Sequence, residues 1–297
     1  MDRYTFMDAF IEKVIEKIGP NYQIETQEVW KNNGVCYEGL YLREKEGIVT
    51  PILSLDQCYR QYQAGASLEK IVEEALLEYG KQRENVAIRE ADFLQEYETV
   101  KDRLYLRLVN RRWNQQYLDD KCHIPFLDLA AVYCIDLQNI FHGKDFRRAG
   151  LTVTKNLSVS WGVSRKEIHQ QALKNMAQNS QYVMNDIHTV LGVEEEMEPG
   201  MPKLWVLQDK TGHNSGATAL LYPKVMERAA EKLGGGFYIL PSSIYEVLLL
   251  PEHDTIPVRE LKEMVEEVNQ QTVEKEDLLS EHVYHYNKEE KKLTIAE

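Results

Sequence analysis

Apolar residues recur along the chain with two different periods. Phe6, Phe10, Val14 and Ile18 fall at helical spacing, and Ile11 and Ile15 widen the stripe, so the first segment is predicted to be an amphipathic helix. Gly19-Pro20 ends it, since glycine suits a helix cap and proline cannot continue the ladder. Strand-like runs follow at Tyr22 to Trp30, Val35 to Leu42 and Ile48 to Leu53, with Asn32-Asn33-Gly34 as a turn that tolerates positive φ. Together they read as an antiparallel meander. Helical spacing returns after Ser67, over Leu68 to Tyr79 with Gly80 closing, and again over about Glu90 to Val100.

Leu104 to Val109 alternates as a half-buried strand. Arg111 to Ile124 is polar, and reads as a loop or a short helix. Pro125 to Ile135 is then apolar on both faces except for Asp128, and its β-branched and aromatic content favours a central strand. Leu151 to Val159 alternates again. Ser164, with Glu167 at the capping-box position, opens a helix that buries Ile168, Ala172, Leu173 and Met176. The segment 193–202 (VEEEMEPGMP) breaks all periodicity and has the composition of a linker. Beyond it come a strand at Leu204 to Leu207, a helix from Tyr222-Pro223 to Leu233, and short strands at Phe237 to Leu240 and Tyr245 to Leu250. A helix marked by Val258, Leu261, Val265 and Val268 follows, then a hairpin from His282 to Tyr286 and Lys291 to Ile295. The fold class is α+β: mixed, largely antiparallel sheet regions with flanking helices. Residues 1–112 form a helix-plus-meander region and 113–297 a larger sheet-and-helix region.

Composition narrows the function. The chain has 297 residues, enough for one large or two smaller domains with a substantial core. Its 35 basic and 48 acidic side chains give a net charge of −13, a field that repels phosphate backbones and anionic lipid. Nucleic acid is therefore an unfavoured partner, and a protein with a basic surface a favoured one. The local basic cluster Arg103, Arg107, Arg111 and Arg112 is expected to pair with surplus carboxylates. No run reaches ~18 apolar residues, and the N-terminus lacks a signal-peptide core. Four cysteines show no C-x-x-C or zinc spacing, and Cys36 and Cys134 read as small core residues in a reducing cytoplasm.

No catalytic motif assembles. Gly234-Gly235-Gly236 follows a helix and precedes a strand, which is the wrong order for a phosphate loop. Cys122-His123 has no third orienting group, and His282 and His285 would lie on opposite faces of a strand. Asp209, His213 and Ser215 have the residue types of a hydrolytic triad but lie in a polar loop. Asp128 stands out because a lone carboxylate in an apolar run is costly unless paired, and its expected partner is a nearby arginine. Candidate binding residues are thus Asp128, Arg107, His213, Ser242 and Ser243, with no metal and no cofactor expected. The reading is a non-catalytic binding or regulatory protein. The alternative is a hydrolase, metal-assisted or not, using Asp128 with His213 or Ser242 and Ser243.

Three phrases together carry a resemblance: PFLDLAAVY at 125–133, GATALLYPKVMERAAEKLGGGFYILPSSIYEVLLLP at 216–251, and ELKEMVEEVNQQTVEKEDLLSEHVYHYN at 260–287. They resemble a family of uncharacterised bacterial proteins, the DUF5688 type, with a more distant likeness to a second uncharacterised bacterial family. The resemblance implies a cytosolic bacterial protein of one architecture. It implies no reaction and transfers no functional residue.

Overall fold

The computed structural model of the protein describes residues 1–44, 52–85, 91–137, 150–192, 203–210, 216–241, 243–254 and 256–296. The contacts divide the chain into two compact units. One comprises 1–31, 35–96 and 137–149; the other comprises 32–34, 97–136 and 150–297. Among the described residues the strands pair antiparallel, and helices flank them, which makes the chain α+β.

In the first unit, helix α1 (Arg3–Ile18) starts where Asp2 accepts a hydrogen bond from the Thr5 N–H. Phe6, Met7, Phe10 and Val14 are its buried stripe. Strands β1 (Tyr22–Trp30), β2 (Cys36–Glu44) and β3 (Ile52–Ser54) form an antiparallel meander as expected, in the order β1-β2-β3, though positions 48–51 of the third predicted run lie outside the described residues. Gly39 lies where β1 and β3 both close on β2: a Cβ there would stand 2.6 Å from Ile52 Cγ2 and 2.7 Å from Val29 Cγ2. Helices α2 (Leu55–Gln63) and α3 (Leu68–Asn85) complete a core of Phe6, Phe10, Leu40, Leu42, Leu55 and Ile71. Helix α2 has no counterpart in the sequence reading, and α3 runs through Gly80 instead of stopping there. Cys36 is exposed, not a core residue, because it sits at the first position of β2.

The described residues of the second unit form two sheets. After α4 (Tyr97–Val100) come β4 (Leu104–Asn110), α5 (Gln115–Leu118), β5 (His123–Phe126), β6 (Leu129–Asp136) and β7 (Gly150–Thr152). Strand β6 is the centre, paired with β4, β5 and β7, and every residue from Leu129 to Ile135 is buried. The apolar run 125–135 is therefore not one strand. Phe126 pairs with Leu129, leaving Leu127-Asp128 as a tight turn. Leu127 takes φ 53°, a left-handed conformation that costs a residue with a Cβ about 1–2 kcal/mol.

Helices α6 (Lys155–Ser160) and α7 (Arg165–Asn179) lead to β8 (Tyr182–Asp186), α8 (Ile187–Leu191), β9 (Trp205–Asp209), α9 (Pro223–Leu233), β10 (Phe237–Leu240), β11 (Glu246–Pro251), α10 (Val258–Gln271), β12 (Tyr284–Asn287) and β13 (Lys292–Ile295). The second sheet has the order β13-β12-β10-β11-β9-β8. Two further predicted elements change. Residues 91–100 form a 3-10 turn and the short α4 instead of one helix, and most of 151–159 is α6 instead of a strand. In α6 the Thr154 hydroxyl accepts from the Leu157 N–H at 3.1 Å, and that cap starts a helix where alternation alone suggested β.

Candidate functional site

Among the described residues, the predicted site residues Asp128, Arg107 and Ser243 do not assemble into one site. Asp128 projects from the β5–β6 turn. Its Oδ2 accepts from Ser280 Oγ at 2.6 Å and its Oδ1 from Tyr284 Oη at 2.7 Å. It forms no ion pair among the described residues, so the expected arginine partner is replaced by two hydroxyls. The Tyr284 hydroxyl is pushed well above its ordinary pKa by burial and by the adjacent Asp128 charge, so it stays a donor. A polar recess of about 240 Å³ opens beside the carboxylate and is lined also by Arg111, Arg112, Glu281 and His282.

Buried asparagines brace the same region. The Asn33 N–H donates to Asn114 Oδ1 at 2.8 Å, and Asn114 Nδ2 donates back to Asn33 Oδ1 at 2.9 Å. Asn33 Nδ2 reaches the Lys275 and Leu278 carbonyls, and Asn110 Nδ2 reaches the Leu279 carbonyl. With Asp128 on Ser280 and Tyr284, these side chains fasten residues 275–284 to the end of β4 and the β5–β6 turn. The arrangement is a structural clamp, in which both carboxylate oxygens are already engaged.

Arg107 stands apart from that recess. Its Nη2 donates to Tyr117 Oη at 2.7 Å, and Tyr117 Oη lies 2.9 Å from Thr152 Oγ1. Its Nε is buried without a hydrogen-bond partner. None of Arg103, Arg107, Arg111 and Arg112 forms an ion pair among the described residues, contrary to the expectation that they meet surplus carboxylates. Ser243 is buried, donates to Glu246 Oε1 at 2.9 Å and accepts from the Tyr245 and Glu246 N–H groups. It closes a turn and does not line the Asp128 recess. His213 and Ser242 lie outside the described residues. No group of three metal-ligating side chains occurs among the described residues.

A larger recess, of about 600 Å³, lies among α7, β8 and α9. Its size is that of a small-molecule site. Ala177, Met184, Leu207, Val225 and Ala229 give it an apolar floor. Tyr182 and Tyr222 wall it with rings whose centroids are 5.6 Å apart. Both hydroxyls are spent within the protein, Tyr182 Oη against Thr218 Oγ1 at 3.0 Å and Tyr222 Oη on the Leu173 carbonyl at 3.1 Å. Burial raises both phenols, that of Tyr182 to about 12, so the walls are neutral.

The rim is cationic. Lys224, Arg228 and Lys232 follow one another at successive turns of α9, on the side away from the buried Met226, Ala230 and Leu233. Lys232 Nζ donates to the Met184 carbonyl at 2.7 Å and sits 4.3 Å from the centre of the Trp205 ring. Lys224 and Arg228 have no ion-pair partner among the described residues, and no carboxylate lines the recess. Sequence reasoning missed this row. K-x-x-x-R-x-x-x-K on an amphipathic helix looks like any solvated face, and the tyrosine walls come from segments forty residues apart.

No curated protein and no solved structure matches the chain. Among the described residues no helix is long and apolar enough to cross a membrane. The model of a family of unknown function, DUF5688, matches residues 3–288, and the chain belongs to that family.

Proposed function

We propose that this chain is a non-catalytic binding protein whose recess among α7, β8 and α9 holds a small organic anion. One observation carries the reading: three cationic side chains in a row border an apolar, ring-walled cavity with no carboxylate in its lining. In a protein of net charge −13, a recess bordered by three cations and lined by no carboxylate runs against the general surface, although Glu227 and Glu231 stand on the same helix outside the lining. The hydrolase alternative has less support. Asp128 accepts two hydroxyl hydrogens within a clamp, and the Ser243 hydroxyl is committed to Glu246. A regulatory role adds a protein partner with a basic surface, for which the acidic exterior is the support. Four free thiols suit the reducing cytoplasm as its location.

Titration with anilinonaphthalene sulfonate, a flat aromatic monoanion, tests the reading. We expect saturable one-site fluorescence enhancement at low salt, weakened about tenfold (about 1.4 kcal/mol) in Arg228→Glu. Absence of saturation, or equal affinity in the variant, would overturn it.

A further inference from the structure

The shape of the cationic row says more about the ligand, provided that the small-anion reading holds. Lys224 to Lys232 spans two turns of α9, about 12 Å at 1.5 Å per residue. A single carboxylate or sulfonate engages only part of such a row and leaves the other cations facing one another. A chain of phosphates places separate negative charges along it. Arg228, at the middle, offers the planar fork that grips phosphate through two parallel bonds, and the flanking lysines act as point charges. The row begins at the N-terminus of α9, where Pro223 opens the helix and Tyr222 gives no side-chain cap, so the positive end of the helix dipole adds to Lys224.

The walls specify the other half of the ligand. Because the Tyr182 and Tyr222 hydroxyls are turned into the protein, what these residues offer the cavity is ring surface. Ring surface favours a flat, polarisable group that can stack. The apolar floor of Met184, Leu207 and Val225 excludes a second charged group there. We infer that the recess takes a nucleoside polyphosphate, its base against Tyr182 and Tyr222 and its phosphates along Lys224, Arg228 and Lys232.

The test uses the full chain and calorimetric titration with ADP, adenosine and pyrophosphate, alongside displacement of bound anilinonaphthalene sulfonate. ADP is expected to bind at least tenfold tighter than either fragment and to displace the fluorophore. Arg228→Ala should weaken ADP and pyrophosphate by the same factor, about tenfold. Tyr222→Phe, which keeps the ring, should bind ADP more tightly than Tyr222→Leu, which does not. Tyr222→Leu should weaken ADP to about the affinity of pyrophosphate, and continued binding of pyrophosphate shows that the variant is folded at the site. If ADP binds no tighter than adenosine, or fails to displace the fluorophore at millimolar concentration, the polyphosphate assignment falls. Arg228-dependent fluorophore binding in that same experiment would leave the broader small-anion reading standing.

Discussion

The two oxygens of Asp128 take hydroxyl hydrogens from Ser280 and Tyr284, partners more than 150 positions away. Asp128→Asn keeps the shape but turns one acceptor into an NH₂ that faces a hydroxyl. A buried polar group left without its partner costs about 1–3 kcal/mol, so the variant should lose that much stability in urea denaturation. Its binding of anilinonaphthalene sulfonate should be unchanged, since Asp128 does not line the larger recess. His169 supplies a second residue-scale prediction. Its Nδ1 lies 3.1 Å from Tyr133 Oη, and burial lowers its pKa from the ordinary 6.5. The unfolded chain therefore binds a proton at a pH where the folded chain does not. This contribution is absent above pH 6.5 and destabilises progressively as pH falls from about 6.5 through the lowered folded pKa. The melting temperature should drop over that window, and His169→Gln should show a shallower drop in parallel thermal scans.

At the scale of elements, Gly80 is the clearest test of what local signals decide. Read alone it stops a helix, yet α3 continues to Asn85 because Ile71, Val72 and Tyr79 are already anchored in the first core. A Cβ at Gly80 would meet nothing within 4 Å, and its φ is not positive. Gly80→Ala should therefore stabilise by about 1 kcal/mol, visible as a higher urea midpoint with an unchanged slope. Elements whose signal was both periodic and capped, such as α1 with Gly19, α7 with Ser164 and α9 with Pro223 and Gly234, could be read from the sequence. Elements set by a competing local bond could not. The Thr154 cap turned an alternating segment into α6, and the pairing of Phe126 with Leu129 split an apolar run into a hairpin. The candidate site was even less accessible. Asp128 announced itself as a charge among apolar neighbours, but its partners depend on tertiary contacts. The α9 cations become a site only once β8 and α7 place Tyr182, Met184 and Ala177 beside them.

Charge is the property that belongs to the molecule as a whole, and it acts in opposite senses on stability and on binding. With 48 acidic against 35 basic side chains, folding concentrates a net −13 into a compact volume, and self-repulsion opposes it. The ion pairs that offset this are mostly exposed, as between Lys17 and Glu73 or Lys291 and Glu227, and exposed pairs contribute about 0–1 kcal/mol each. Salt screens both terms over a Debye length of about 10 Å at 0.1 M. With an excess of 13 negative charges the long-range repulsion is expected to dominate, so raising salt from roughly 20 to 300 mM should raise the melting temperature by a few degrees. The α9 row works the other way, because the same ions screen the attraction between Lys224, Arg228, Lys232 and an anion. Affinity for anilinonaphthalene sulfonate should fall over the same salt range, and the fall should be smaller in Arg228→Ala. A protein whose melting temperature and affinity fell together with salt would locate the dominant electrostatics in the surface ion pairs. It would remove the reason for setting the cationic recess apart from the acidic exterior.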